Sequence, residues 1–179
     1  MQCAPELSDR TLIVNGASKT YSMTGWRLGW ALGPVKLISA MTNLQSQSVS
    51  CASPFSQLAG LAAIESGDHE VKSILKILLS RRNLAIEQIK KIPFLDVITP
   101  DGAFYLWVDF SKICGKAFKG KALTSCSDIA QTILVEEMVA MVPGVEFGSP
   151  GFMRFSFALE SEKMSKALMR IESFINRLG

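Results

Sequence analysis

Apolar positions along the 179-residue chain change their period several times, and each change marks an element. Thr11-Leu12-Ile13-Val14 is a β-branched run closed by Asn15-Gly16, the pattern of a buried strand ending in a tight turn. Leu28 to Leu32 predicts a second strand that stops at Gly33-Pro34, and a polar loop of small residues separates the two. Val35, Ile38, Met41 and Leu44 then recur at helical spacing directly after Pro34. Ser53-Pro54 opens another helix with an N-cap and a first-turn proline, and Gly67 closes it after Leu58, Leu61, Ala62 and Ile64. From Glu70 to Ile92, Val71, Ile74, Leu75, Leu78, Ala85, Ile86 and Ile89 predict a long amphipathic helix. Its other face carries Lys72, Lys76, Arg81, Arg82 and Lys90 as a solvated stripe.

After Pro93 the elements shorten. Leu95 to Ile98 predicts a strand, Pro100-Asp101-Gly102 a turn, and Ala103 to Val108 an aromatic-rich strand in which Phe104, Tyr105, Leu106 and Trp107 all read as core packing. Lys112 to Thr124 reads as a loop, and Ser127-Asp128 as the cap of a helix reaching Glu137. Val139 to Val142 and Phe152 to Phe157 predict two further strands. A final helix from Ser161 carries Met164, Ala167, Leu168, Ile171, Phe174, Ile175 and Leu178 as one stripe. The order is that of an α/β chain. Strand, loop, strand and two helices occupy residues 1–68, a connecting helix 69–92, and a small α+β unit with helices on one side of an antiparallel or mixed sheet 93–179.

Composition narrows the function. With 48% hydrophobic and 20% charged residues the chain is globular, and its net charge of +3 is spread without a basic block, so neither nucleic acid nor a membrane surface is expected as a partner. Cys3, Cys51, Cys114 and Cys126 are scattered and His69 is the single histidine, so no metal site is expected. His69 reads as a surface residue at a helix start. Met1 to Glu6 lacks the pattern of a signal peptide and no run is long enough to span a membrane. Free thiols in the cytoplasm are the expectation.

The loop between the first two strands holds the chemistry: Gly16-Ala17-Ser18-Lys19-Thr20-Tyr21-Ser22-Met23-Thr24-Gly25-Trp26-Arg27-Leu28-Gly29-Trp30. A lone lysine is ordinarily a surface residue. Lys19, however, follows an apolar strand, where α/β proteins place ligands, and a lysine desolvated beside another cation offers a free amine for a Schiff base. Arg27 with the hydroxyls of Ser18 and Thr24 could hold a phosphate in the same pocket. Arg154 interrupts the apolar strand Phe152-Met153-Arg154-Phe155-Ser156-Phe157. It is either an edge residue pointing at water or a ligand for an anion.

Asn15-Gly16-Ala17-Ser18-Lys19 with Met23-Thr24-Gly25-Trp26-Arg27-Leu28-Gly29 resembles the pyridoxal-phosphate lysine signature of class I and II aminotransferases, bacterial aspartate aminotransferases in particular. The resemblance continues through Ser46-Gln47-Ser48, Pro100 to Tyr105, Val142 to Gly148 and Met153 to Ala158, and so spans nearly the whole chain. It implies the C-terminal part of a fold type I aminotransferase: the end of the large-domain sheet plus the α+β small domain. It also implies pyridoxal phosphate bound covalently at Lys19, its phosphate held by Arg27 and Ser18, and the substrate α-carboxylate gripped by Arg154. The substrates it implies are an L-amino acid, aspartate foremost, and a 2-oxo acid.

In that family the phosphate loop, the aromatic that stacks on the cofactor, and the Asn, Asp and Tyr that hold its ring precede the lysine, where this sequence has 18 residues. The expectation is therefore an incomplete site, weakly active or inactive by itself. The alternative is a non-catalytic fragment serving as a folding or oligomerisation module. Without the rest of a sheet, the strand edges and the two following helices would expose apolar surface, so association as a homodimer is expected.

Overall fold

The computed structural model describes residues 4–179. Cys3 and the start of the Met1 to Glu6 segment lie outside the described residues. The chain divides into two compact units, Met1–Ile74 and Leu75–Gly179.

In the first unit, β1 (Ile13–Gly16) pairs antiparallel with β2 (Gly29–Leu32), Ile13 opposite Leu32 and Gly16 opposite Gly29. The connection is more ordered than a plain loop. A single helical turn, α1 (Ala17–Thr20), leaves the end of β1, and a tighter turn at Thr24–Trp26 leads into Arg27. Then come α2 (Val35–Ser48), α3 (Pro54–Ser66) and α4 (Asp68–Ile89), the last of which crosses into the second unit. Ser53 holds the N-cap position of α3 as expected, but its side chain makes no capping bond there. His69 is exposed in the first turn of α4, 3.9 Å from Glu70.

Among the described residues of this unit, Ala17 and Met23 are the buried apolar side chains, whereas Val35, Leu44, Phe55 and Leu58 are between 67% and 81% exposed. The apolar stripes of α2 and α3 form as their spacing predicts, and they face outward.

The second unit holds the core. β3 (Asp96–Ile98), β4 (Tyr105–Asp109), β7 (Val142–Pro143) and β8 (Phe152–Ser156) form an antiparallel sheet in the order β3-β4-β8-β7. A small hairpin, β5 (Ala117–Phe118) with β6 (Lys121–Ala122), occupies the segment expected to be a loop. Leu106, Val108, Met153 and Phe155 pack from the sheet against α4, α5 (Cys126–Glu137) and α6 (Ser161–Ile175) in one continuous core. On α6, Met164, Leu168, Ile171, Phe174 and Ile175 are buried, the stripe read from the sequence.

Three expectations are corrected here. The cap of α5 is Ser125 rather than Ser127-Asp128: Ser125 Oγ accepts from Asp128 N at 3.1 Å, while the Asp128 carboxylate accepts from the Thr124 hydroxyl at 2.6 Å and Ser125 Oγ at 3.0 Å. This reciprocal box fills the first turn's open donors two residues earlier than expected. Residues 139–141 are not strand, because β8 offers β7 only the partners Arg154 and Met153. β4 begins at Tyr105 rather than Ala103, whose φ of 60° is left-handed and incompatible with a strand.

Because the core lies in one unit, truncations should differ sharply in cost. Phe174, fully buried against Phe118 with ring centroids 4.8 Å apart, should lose about 3–5 kcal/mol as Phe174→Ala. Leu44→Ala, at a site 74% exposed, should stay within about 0.5 kcal/mol by urea denaturation of the same chain. Hydrogen bonds from Thr124 and Ser125 hold the Asp128 carboxyl below the ordinary aspartate range. A lowered folded pKa stabilises the fold above the unfolded value and is lost as pH falls through the folded one. Asp128→Asn should therefore lower the thermal midpoint at neutral pH and flatten its further decline below about pH 4.

Candidate active site

The register of β1 and β2 makes residues 17–28 the closure of a hairpin, with Ala17 N donating to Leu28 O at 3.1 Å. Ser18 and Lys19 leave one strand and Arg27 enters the other, so the three belong to one loop at one end of the pair. A Cβ at Gly29 would lie 3.0 Å from the Asn15 carbonyl oxygen, tighter than ordinary contact, so the close approach of the strands favours glycine there.

α3 fixes the loop from behind. Buried Ser56 donates to the Trp26 carbonyl at 2.7 Å, and Gly60 lies where any Cβ would overlap the Leu28 side chain. Arg27 stands between these two anchored neighbours. Its φ of 53° is left-handed, an arrangement that costs energy in a non-glycine residue and is held by the bonds on either side. Its Nη1 donates to the Thr24 carbonyl at 3.1 Å, leaving the rest of the guanidinium fork for a ligand. A cavity of about 530 Å³ beside it is lined by Gly25, Arg27, Gly29, Ser53 and Ser56. Lys19 is exposed and Ser18 half-buried, so the described residues of this unit do not supply the desolvation expected around the lysine. An amine, a guanidinium and hydroxyls on one loop suit a carbonyl compound that also bears a phosphate.

Arg154 lies in the other unit, on β8, directly opposite Trp107 of β4. Alternation sends Met153 and Phe155 into the core and Arg154 to the opposite face, half-buried. There its guanidinium lies 4.4 Å from the Tyr105 ring centroid and 4.5 Å from that of Phe147. Trp107 completes the surround, edge-on to Phe147 at 5.6 Å and stacked on Phe152 at 5.8 Å. Among the described residues Arg154 forms no ion pair. A cation held over aromatic faces with no carboxylate partner keeps its planar fork for an incoming anion.

Tyr105 and Trp107 are thus not core residues. Leu106 is buried and Phe104 packs against the core, while Tyr105 and Trp107 surround the arginine. Their i, i+2 spacing was the available signal. What it lacked was the pairing of β4 with β8.

The model of the aminotransferase class I and II family matches residues 2–171. The chain belongs to this family. It is 41% identical over 172 residues to a probable aspartate/prephenate aminotransferase of Rickettsia felis, covering 96% of this chain and 42% of that protein. To an aspartate aminotransferase of Rhizobium meliloti it is 40% identical over 179 residues, covering 44% of that protein. The crystal structure of a Rhizobium meliloti aspartate aminotransferase superposes with a TM-score of 0.94 at 39% identity, over 98% of this chain and 44% of that one. An aromatic aminotransferase from Pyrococcus horikoshii gives a TM-score of 0.86 at 31% identity, over 96% and 44%. The chain therefore spans less than half the length of these relatives, and its fold matches that part of a fold type I aminotransferase.

The grip of α3 on the loop is open to test. Ser56→Ala removes a buried hydrogen bond and should cost about 1 kcal/mol by thermal or urea unfolding, whereas Ser53→Ala, which loses no capping bond, should change little.

Proposed function

We propose that this aminotransferase-family chain carries the covalent anchor and the substrate-carboxylate arginine of a pyridoxal-phosphate transaminase, with L-aspartate as amino donor and a 2-oxo acid as acceptor. The single observation that supports this reading is that Ser18, Lys19 and Arg27 all lie on the one connection between β1 and β2. The donor set fits the cofactor: Lys19 Nζ for its carbonyl carbon, and Arg27 with the Ser18 hydroxyl for its phosphate. When bound, pyridoxal phosphate supplies an electron sink for charge developing at the substrate Cα.

Lys19 also serves as the base. Once its amine is displaced by the incoming amino acid, Nζ can take the proton from the substrate Cα and later return one. Arg27 stays fixed because Trp26 and Leu28 on either side are pinned to α3. Arg154 takes the substrate α-carboxylate, a role favoured by its aromatic surround and by the absence of a competing ion pair among the described residues. In domain terms, we read residues 1–68 as the end of a large cofactor domain, 69–92 as the connecting helix and 93–179 as the small domain.

These 179 residues hold part of the site, weakly active or inactive alone. The exposed apolar faces of α2 and α3 support assembly, and the complete protein is read as a cytoplasmic homodimer. No helix among the described residues is long and apolar enough to cross a membrane.

The test is incubation with pyridoxal phosphate, borohydride reduction and peptide mapping. Selective labelling of Lys19 is expected, with unphosphorylated pyridoxal labelling it far less. Arg27→Leu should abolish that preference for the phosphate. Labelling spread over the surface lysines, or equal labelling by the two aldehydes, would overturn the assignment.

A further inference from the structure

Away from the loop and from Arg154, two thiols meet in the Leu75–Gly179 unit. Cys114 Sγ and Cys126 Sγ lie 4.0 Å apart. Cys114 is half-buried just after the turn Ser111–Ile113, and Cys126 is buried at the first residue of α5. Backbone bonds already hold the two segments side by side: Gly115 N donates to Leu123 O at 2.7 Å, and Leu123 N to Lys116 O at 2.9 Å. The Cys114 thiol also lies 3.9 Å from the Phe110 carbonyl. Among the described residues, no group of three or more His, Cys, Asp or Glu could hold a metal ion.

We propose that Cys114 and Cys126 form an intramolecular disulfide when the protein meets a hydroperoxide, fastening the start of α5 to the turn that follows β4. The sulfurs must approach to about 2.0 Å. The paired segments on either side of the thiols hold them within about 2 Å of that separation.

The half-buried Cys114 reacts first. Its thiolate attacks one peroxide oxygen, the O–O bond breaks, and the departing oxygen takes a proton and leaves as water (or as an alcohol from an organic peroxide). The resulting sulfenic acid is then attacked by the Cys126 sulfur, which gives up its proton. The S–O bond breaks, a water leaves and the S–S bond forms. Two thiols are oxidised by two electrons and one peroxide is reduced.

Burial, reinforced by the neighbouring Cys114, pushes the Cys126 thiol up to about 12. Cys126 therefore stays protonated at neutral pH as the second partner, and the bridge forms slowly compared with a low-pKa sensor cysteine. Once formed, it closes the segment holding the β5–β6 hairpin and restricts the unfolded chain, so the oxidised protein should be the more heat-resistant form.

The test exposes the full chain to hydrogen peroxide, blocks remaining thiols under denaturing conditions and maps peptides without reduction. Expected are the loss of two hydrogen atoms, a linked pair of peptides containing Cys114 and Cys126, and a thermal midpoint raised by several degrees and restored by dithiothreitol. Cys114→Ser and Cys126→Ser should each abolish the link and the rise, whereas Cys51→Ser should keep both. Cross-links made through Cys51 or Cys3, or Cys114 carried to sulfinic acid with Cys126 still reduced, would overturn the proposal. So would a linked pair that leaves the midpoint unchanged.

Discussion

The antiparallel pairing of β4 with β8, from Tyr105 opposite Ser156 to Asp109 opposite Phe152, is the constraint on which most of the second unit depends. Side chains on a strand alternate with a period of two, so one register assigns both faces at once. Leu106, Val108, Met153 and Phe155 go inward and nucleate a core shared by α4, α5 and α6. Tyr105, Trp107, Phe152 and Arg154 go outward and build the aromatic surround. A slip of one residue would bury a guanidinium and expose the core, a cost of several kcal/mol in desolvation alone. The same pairing that stabilises the unit therefore holds its arginine half-buried and away from carboxylates.

The first unit follows a different logic. Its hairpin is short, and among its described residues the buried apolar side chains are Ala17 and Met23. What organises the loop is local: the Ala17–Leu28 backbone bond, the Ser56 hydroxyl on the Trp26 carbonyl, and the fit of Leu28 over Gly60. These contacts set the position of Arg27 without a large core. Meanwhile α2 and α3 leave Val35, Leu44, Phe55 and Leu58 exposed. That contrast between units accords with a chain spanning less than half the length of its relatives.

Much was legible in the sequence. The Asn15-Gly16 stop, the N-terminal prolines of α2 and α3, and the stripe of α6 each rest on local chemistry that operates before any tertiary contact forms. The loop bearing Ser18, Lys19 and Arg27 was legible for the same reason, since its residues are contiguous. The β5–β6 hairpin was missed because two-residue strands carry no alternation to detect. The cap of α5 was misplaced because Ser125 and Ser127 are equally good cap residues, and the choice between them depends on where the chain arrives from Leu123.

The sequence by itself therefore determined the helices and the loop that bears Ser18, Lys19 and Arg27, because periodicity, capping and turn residues act over a few neighbours. Only the tertiary structure decided which face each strand residue shows. That decision turned Tyr105 and Trp107 from core residues into neighbours of Arg154. It also put Cys114 against Cys126, and left α2 and α3 with their apolar faces outward. Each of these is a matter of pairing between distant segments, for which single-chain periodicity holds no information.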